Sequence, residues 1–255
     1  SDLGGATVPV KATLEPAQSD QTARIQAALD NLAKLPVAAN GFRGALVLKK
    51  GIYEVSAPLL IRASGIVLRG EGQDLKHGTV LVSTTKTKVP VIRIGGSGKP
   101  AVAPAGAKVT DEYVPVGSSV LHLDNASGLA VGDTVMVTRG QTEEWIKFLN
   151  ANRPGIDWPV TFPQIRFDRV ITSVSGNTVQ LDAPVTTALE TKFGGATVAK
   201  YSWPERIEQC GVENLTAKCN FTKPDDEEHA TDGIEVGARS EEHTSELQSR
   251  QYLVC

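Results

Sequence analysis

The stretch GALVLKKGIYEVSAPLLIRASGIVLRGEG, residues 44–72, decides the fold of this chain. It contains short apolar segments, each closed by Gly, Ser-Ala-Pro or Ala-Ser-Gly, and similar segments follow it; they are 45–48, 52–55, 59–61, 66–68, 79–83 and 91–96. Parallel strands in an open sheet need crossovers of about a dozen residues. Strands this short are instead typical of a coil that turns after each strand and stacks on the next coil around an apolar interior. We expect Leu46, Ile52, Ile61 and Leu68 to face that interior.

A single amphipathic helix precedes these segments. Ser19 or Asp20 is suited to the N-cap, and Pro36 ends the pattern. Apolar residues recur between these limits at i, i+3, i+4 and i+7, namely Ile25, Ala28, Leu29 and Leu32. An end coil exposes apolar interior and unpaired strand edges, so we expect this helix to cover the first coil.

The pattern D-x-T-x-x-I-x-x-A-L over residues 20–29, followed by the stretch 44–72, resembles the N-terminal part of pectate-lyase-superfamily proteins. Lys50 stands where the usual turn has proline, while Gly51, Tyr53, Gly70 and Gly72 match. The resemblance covers residues 15–96 and implies an all-β fold, a right-handed parallel β-helix (solenoid) with an N-terminal capping helix. It also implies action on a polysaccharide. We interpret Gly70 and Gly72 as glycines of a coil corner and not as a phosphate-binding loop.

The composition and the spacing of apolar residues change after residue 96. Residues 97–112 are rich in Pro, Gly and Ala and predict a linker. Alternating segments then surround turn signals such as Ser-Gly-Asn at 175–177, which indicates an inserted small antiparallel β module. Solenoid-like segments return at 207–210 and 212–215.

The predicted division is therefore a cap with the first coils (1–108), the inserted module (109–204), a return to the coils (205–238) and a tail (239–255). Two consecutive unrelated domains are the alternative.

The tail RSEEHTSELQS, residues 239–249, resembles the conceptual translation of a common DNA-sequencing adapter, and Leu253-Val254-Cys255 fits the same adapter. On this interpretation the tail is non-native and the chain is an N-terminal fragment that ends near Ala238. Glu241, Glu242 and His243 then carry no functional information.

Composition excludes some classes of function. The net charge is −3 and no Lys/Arg run occurs, which argues against nucleic-acid binding. No apolar run approaches the ~20 residues of a membrane span. The given chain has no signal peptide, but the resemblance implies a secreted or periplasmic protein. The pattern does not predict an oligomeric state.

The first candidate binding region is the long segment 139–168, because loops of this length in a compact domain are usually functional or disordered. Aromatic faces beside charges suit sugar rings. The candidate substrate-binding residues are Trp145, Arg153, Asp157, Trp158, Arg166 and Asp168. Alternatively, the aromatic residues only pin the loop onto the β-helix, and residues 142–150 form a short helix in which Trp145 and Leu149 pack.

The second candidate is the acidic turn KPDDEEHATD, residues 223–232. Asp225, Asp226 and Glu228 could bind Ca²⁺ through hard oxygen ligands, although the spacing matches no Ca²⁺-loop motif. A solvated acidic turn is the alternative, and Ca²⁺ is the one cofactor the sequence suggests. Cys210 and Cys219 are either buried small residues or neighbours across a turn.

The resemblance implies a polysaccharide as partner and one of two reactions. A polysaccharide lyase would remove a proton α to a uronate carboxyl, and a glycoside hydrolase would use paired carboxylates. No catalytic motif of the superfamily is present, so we expect catalytic residues beyond Ala238 and an inactive fragment. A non-catalytic glycan-binding protein, such as an adhesin or a tailspike-like surface β-helix, is the alternative.

Overall fold

The computed structural model describes residues 8–160, 164–220 and 228–237. This part of the chain is mostly β, with α-helices at α1 (Thr22–Ala33) and α2 (Glu143–Phe148) and a 3₁₀ turn at Thr191–Phe193. The first strands are β1 (Val10–Leu14), β2 (Gly44–Leu48), β3 (Gly51–Val55), β4 (Leu59–Ile61), β5 (Ile66–Gly70), β6 (Thr79–Ser83) and β7 (Pro90–Gly95). Short strands follow at β8 (Ala101–Val102), β9 (Ala107–Lys108), β10 (Tyr113–Val114) and β11 (Val120–His122). Next come β12 (Thr134–Arg139), β13 (Asn152–Arg153), β14 (Ile156–Asp157), β15 (Arg166–Ser175), β16 (Thr178–Leu181) and β17 (Leu189–Glu190). The last strands are β18 (Ala196–Ser202), β19 (Gly211–Glu213), β20 (Thr216–Cys219) and β21 (Asp232–Gly237).

The described chain divides into two compact units. Unit 1 contains residues 1–99 and 205–255, and unit 2 contains residues 100–204. No helix in the described ranges is both long and apolar enough to cross a membrane.

Unit 1 is built from three parallel sheets, in the orders β1-β2-β5-β19, β3-β6-β20 and β4-β7-β21. Each sheet takes one strand from each of three successive chain segments, which we call coils: β2–β4, β5–β7 and β19–β21. Strands are predicted correctly at all six positions from 45 to 96. The predicted strand at 207–210 is wrong, because the third coil begins at β19 and only Ile207 of that segment is buried.

Equivalent side chains stack from coil to coil inside unit 1. Leu46 pairs with Leu68 in the first sheet, Tyr53 with Leu81 in the second, and Ile61 with Ile94 in the third. All of these side chains belong to one buried apolar cluster. The expectation for Leu46, Ile61 and Leu68 is confirmed, since each is fully buried.

Ile52 is the exception, and its predicted burial is wrong. Its side chain is 57% exposed, whereas Tyr53 and Val55 of the same strand are buried. Side chains alternate between the two faces of a strand. The strand places Tyr53 and Val55 inward, which turns Ile52 and Glu54 to the outer face.

Three different groups cover the outer edges of the first coil. Strand β1 pairs with β2, and the backbone N–H of Gln21 donates to the carbonyl of Glu54 on β3 (2.8 Å). The third edge is covered by the side chain of Gln26, whose Oε1 accepts from Leu60 N (2.8 Å) and whose Nε2 donates to Leu60 O (3.0 Å). Unpaired strand edges are thus satisfied by a strand, a backbone amide and a side-chain amide.

The predicted cap helix is present as α1, with Ile25, Leu29 and Leu32 buried. Its start is anchored by Asp20, which accepts from Thr22 N (3.1 Å), Thr22 Oγ1 (2.6 Å) and Ser56 Oγ (2.8 Å). Burial alone would raise the pKa of Asp20, but the hydrogen bonds from Thr22 and Ser56 outweigh it and lower that pKa. Asp20 therefore ties the helix start to the end of β3.

Glycines at the coil corner permit close backbone approach. A Cβ on Gly70 would collide with the carbonyl oxygen of Asn214 in the third coil, and Gly72 has φ +143°. These positions support the structural interpretation of the Gly-x-Gly pattern.

Unit 2 is antiparallel, and its strand pairing closes into a ring. The order β11-β16-β15-β12-β18 continues through β9, which pairs with β18. The chain after β9 then returns to β11, because Thr110 N donates to His122 O (2.8 Å) and Asp124 N donates to Lys108 O (2.9 Å). The ring surrounds its own apolar cluster, which includes Leu121, Val137 and Val179.

Residues 97–112, predicted as a linker, contain β8 and β9, both paired with β18. The predicted hairpin at 175–177 is present as β15 and β16, joined across Ser175 and Thr178. Gly176 supplies the positive φ of that two-residue turn (+56°).

Candidate functional site

The predicted long loop is a folded segment of unit 2. It leaves β12 at Arg139, forms α2 and the β13–β14 hairpin, and enters β15 at Arg166. Thr142 caps α2, with its side chain accepting from Trp145 N (3.3 Å). The buried residue of this helix is Ile146, whereas Leu149, predicted to pack, is exposed.

The hairpin carries three predicted site residues but does not bring them together on one face, because Asp157 pairs with Asn152 and Arg153 with Ile156, which puts Arg153 and Asp157 on opposite faces. Arg153 and Asp157 lie on β13 and β14, and the turn between them is Pro154-Gly155 with Gly155 at φ +84°, as a type II turn requires. Trp158 follows directly, and its backbone N–H donates to Ala151 O (3.0 Å). Arg153 and Asp157 are exposed and the Trp158 side chain is 39% exposed.

Trp145 lies against a buried arginine. The Arg139 guanidinium is 4.1 Å from the centre of the Trp145 ring, while Arg139 Nε donates to Ala188 O (3.0 Å) and Nη1 to Gly140 O (2.8 Å). Burial lowers the pKa of Arg139 and the negative charge of Glu190 opposes this, yet an arginine stays protonated in water. One face of Trp145 is therefore used inside the unit by a cation–π contact.

An exposed aromatic surface lies at the other end of α2. Phe148 is 70% exposed, and its ring is 5.2 Å from that of buried Phe193, tilted by 41°. The Lys192 ammonium lies 4.7 Å from the Phe193 ring centre and 5.8 Å from that of Phe148. It also forms an ion pair with Glu190 (3.0 Å). We call Phe148, Phe193 and Lys192 the aromatic platform.

Glycines explain how distant segments meet at the platform. Gly140 N donates to Gly195 O (2.7 Å), and a Cβ on Gly140 would collide with the backbone of Gly194. Gly194 and Gly195 have φ +99° and +60°. The adjacent Gly194 and Gly195 are visible in the sequence as a turn signal, but their contact with Gly140 cannot be inferred from their spacing.

Arg166 and Asp168 lie on one face of β15, since they are two residues apart, and Phe167 points to the core between them. Arg166 Nη2 donates to Gln164 Oε1 (3.3 Å). Asp168 Oδ2 accepts from the hydroxyl of Tyr201 (3.0 Å). Asp168 thus stabilises the sheet by joining β15 to β18.

The acidic turn is only partly described. Asp225 and Asp226 lie outside the described residues, and Glu228 is exposed. Within the described ranges, no group of three or more His, Cys, Asp or Glu side chains could hold a metal ion. Ca²⁺ binding by this turn stays a prediction.

The two described cysteines, Cys210 and Cys219, both use their thiols as hydrogen-bond donors. Cys219 is buried and its thiol donates to Ala230 O (2.9 Å), while the Cys210 thiol donates to Ala63 O (3.3 Å). Both therefore serve packing in unit 1.

No protein-family model matches this chain, and no curated protein matches it. The solved structures to which the chain is similar include three phage tailspikes. The Gp54 tailspike of Acinetobacter baumannii bacteriophage AP22, solved in complex with an A. baumannii capsular saccharide, is 13% identical with a TM-score of 0.45 over 87% of this chain and 29% of its own. The tailspike gp61 of Pseudomonas phage phi297 is 16% identical (TM-score 0.38, 86% of this chain, 30% of its own).

The tailspike gp49 of Pseudomonas phage LKA1 is 14% identical, with a TM-score of 0.37 over 77% of this chain and 29% of its own. The chain spans less than a third of the length of each of these three tailspikes.

Proposed function

We propose that this chain is part of a right-handed parallel β-helix protein that binds a polysaccharide outside the cytoplasm. The three parallel sheets of unit 1 support the fold, because each coil pairs with the next in register and stacks like side chains inside. Unit 2 carries the proposed binding surface.

The observation that carries the proposal is the exposure of Phe148. Leaving a phenylalanine in water forgoes about 1.5–3 kcal/mol of burial free energy. Phe148 is nevertheless held in place, because its ring packs on buried Phe193 and lies beside the Lys192 ammonium. A fixed, exposed ring next to a cation suits a sugar, whose C–H face stacks on the ring and whose hydroxyl or carboxylate oxygens accept from the ammonium.

The hairpin supplies a second contact region of the same chemistry. Trp158 presents an exposed aromatic surface, and the exposed Arg153 of the same hairpin offers a donor, while Asp157 lies on the opposite face from Arg153. We propose that a polysaccharide, a repeating ligand, contacts unit 2 through both regions. Trp145 contributes less to binding, since Arg139 covers one of its faces.

We propose, more specifically, that the whole protein cleaves the polysaccharide by a lyase or a glycoside hydrolase reaction. The described geometry favours binding, because an aromatic platform orients a sugar but transfers no proton. A non-catalytic, glycan-binding surface protein is the alternative to cleavage, and the same aromatic platform supports it.

Substitution of Phe148 tests the proposal. Titration calorimetry with polygalacturonate, and with neutral dextran as a comparison polymer, should show binding by the wild type. Phe148→Ala should weaken it by about 1–3 kcal/mol, the scale of one stacked aromatic. Trp158→Ala should produce a loss of the same order if the hairpin contacts the polymer.

Val131→Ala is the control, since Val131 is an exposed apolar residue of unit 2 in the connection between β11 and β12. Unchanged affinity in Phe148→Ala, or an equal loss in Val131→Ala, would remove the platform from the binding surface. A wild type that binds neither polymer would contradict the proposed function.

A further inference from the structure

A histidine and an aspartate form a fixed pair on the surface of unit 2. His122 Nδ1 lies 2.7 Å from Asp111 Oδ1, and the backbone N–H of His122 donates to Asp111 Oδ2 (3.0 Å). The carboxylate therefore binds the ring and the backbone of the same residue. The His122 side chain is 56% exposed, while that of Asp111 is 24% exposed.

The ring closure of unit 2 positions this pair. His122 alternates with the buried Leu121 and Leu123, so its side chain points outward. Asp111 comes from the segment that pairs with β11, where Thr110 N donates to His122 O (2.8 Å). The two side chains thus meet across paired backbone, eleven positions apart in the chain.

Asp111 determines which ring nitrogen carries hydrogen. An ionised carboxylate can only accept, so the hydrogen of neutral His122 resides on Nδ1 and Nε2 keeps its lone pair. Asp111 is the hydrogen-bond partner of the ring among the described residues, and Nε2 belongs to the exposed side chain. A base oriented by a carboxylate is the arrangement that general-base catalysis uses.

The pair adjoins the aromatic platform through the segment 189–193. Thr191 Oγ1 donates to Asp111 O (3.1 Å) and Thr191 N donates to Glu112 O (3.0 Å). Lys192 of the platform is the next residue. The segment that holds Asp111 is therefore hydrogen-bonded to the residue that precedes Lys192 of the platform.

We propose that His122, oriented by Asp111, is a general base that hydrolyses acyl esters, and that its substrate is an O-acylated glycan. The choice of a glycan rests on the proposed function, whereas the esterase chemistry rests on the His122–Asp111 geometry alone. Removal of an acyl group differs from cleavage of the polymer chain.

The step balances with water as the co-reactant. His122 Nε2 takes a proton from a water molecule, and the water oxygen forms a bond to the acyl carbon. The ester C–O bond then breaks, and the departing sugar oxygen takes the proton from the imidazolium. The products are a free sugar hydroxyl and a carboxylic acid, and the imidazole returns to its starting state.

The first test is hydrolysis of p-nitrophenyl acetate by the full chain, which requires no glycan binding. His122→Gln should lower the second-order rate constant by about tenfold or more, within the range of a general base, and added imidazole should restore part of it. Asp111→Asn should lower the rate with His122 still present, because the one remaining acceptor oxygen cannot serve both the backbone N–H and the ring of His122, and an amide NH₂ group facing Nδ1 would favour hydrogen on Nε2.

His77→Gln is the matched control, because the ring of His77 has no carboxylate hydrogen bond among the described contacts, although its backbone N–H donates to Asp74. Equal losses in His77→Gln and His122→Gln would indicate ordinary histidine reactivity and overturn the proposal. A ¹⁵N–¹³C correlation spectrum at neutral pH offers an independent readout. It should show hydrogen on Nδ1 of His122, and hydrogen on Nε2 would also overturn the proposal.

The second test measures acetate release from an acetylated xylan and compares it with binding of the same polymer. Loss of release in His122→Gln with binding retained supports both proposals. Binding without any release by the wild type overturns the glycan esterase and leaves the binding function intact. Ester hydrolysis without binding of the polymer overturns the glycan substrate and counts against the proposed function.

Discussion

Ile52 shows how a single apolar residue can mislead a prediction of burial from the sequence. The segment Ile52-Tyr53-Glu54-Val55 has an apolar residue on each face of the strand, but Glu54 shares the face of Ile52, so the alternation favours Tyr53 and Val55 inside and the apolar character of Ile52 by itself does not indicate burial. The structure places Tyr53 opposite Leu81 in the interior. Ile52 is left on the outer face because the phase of the strand is set by its neighbours in the other coils.

Substitutions of isoleucine should separate the two faces. Ile52→Thr should change the free energy of unfolding by no more than about 0.5 kcal/mol, since an exposed side chain loses little contact. Ile61→Ala should cost about 2–5 kcal/mol, because Ile61 is fully buried and its removal leaves a cavity. Urea unfolding would measure both, and a larger cost for Ile52→Thr would contradict the outward orientation.

The buried hydroxyl of Tyr53 is a second feature of this strand with a measurable consequence. Its hydroxyl lies 2.8 Å from Leu14 O and 3.0 Å from Lys49 O. Burial, with a smaller contribution from the negative charge of Glu15, raises its pKa to about 12 from 10.0. The neutral phenol therefore connects β1, the β2–β3 turn and the interior of the first coil.

This shift predicts a pH dependence of stability. Because the pKa is higher in the folded than in the unfolded protein, the stabilisation is complete below pH 10 and is lost as the pH rises toward 12. A shift of this size corresponds to about 2–3 kcal/mol. Tyr53→Phe should be less stable at pH 8, where it lacks the hydrogen bond, and should lose less stability than the wild type between pH 10 and 12. Parallel slopes for the two proteins in urea unfolding over this range would disprove the assignment.

Among the secondary-structure elements, the first coil shows how a stack of parallel strands can be closed at one end. Each of its three strands is covered by a different group, and the third by the amide of Gln26 alone. A primary amide carries one donor group and one acceptor, as a peptide unit does, so it can replace a neighbouring strand over one residue. Helix α1 is therefore attached to the stack by polar contacts as well as by Ile25, Leu29 and Leu32.

Gln26 variants test this cap. Gln26→Ala should lower the free energy of unfolding by about 1–3 kcal/mol, because Leu60 N and O lose their partners. Gln26→Glu keeps the acceptor for Leu60 N but places an anion against Leu60 O at neutral pH, so it should be destabilising as well. Gln18→Ala, on the exposed approach to the helix, is the control. Equal stability of Gln26→Ala and Gln18→Ala would show that water replaces the amide at no cost.

At the scale of the whole molecule, the two units differ in how their cores are assembled. The core of unit 1 needs residues from before 99 and from after 205, since β5, β6 and β7 each pair with a strand of the third coil. The core of unit 2 comes from residues 107–198, and its ring closes within the same range. The core and the strand pairs of unit 2 therefore come from one continuous stretch of the chain.

Residues 100–204 produced alone should consequently fold. We expect one cooperative urea transition with a free energy of unfolding of about 5–15 kcal/mol, the usual range for a domain of this size. Circular dichroism would follow it, and Val137→Asp, which places a charge at a fully buried position, should abolish it. A gradual, non-cooperative change in the unsubstituted fragment would show that unit 2 depends on unit 1.

The sequence by itself determined many of the local elements of this protein. Turn residues and local periodicity located α1, the strands from 45 to 96 and the hairpin at 175–177, because these signals act between residues close in the chain. Only the tertiary structure decided that β8 and β9 pair with β18 in the predicted linker, that Gln26 closes a strand edge, and that Phe148 meets Phe193 and His122 meets Asp111. Each of these depends on the register between distant segments, and the local pattern of side chains does not contain that register.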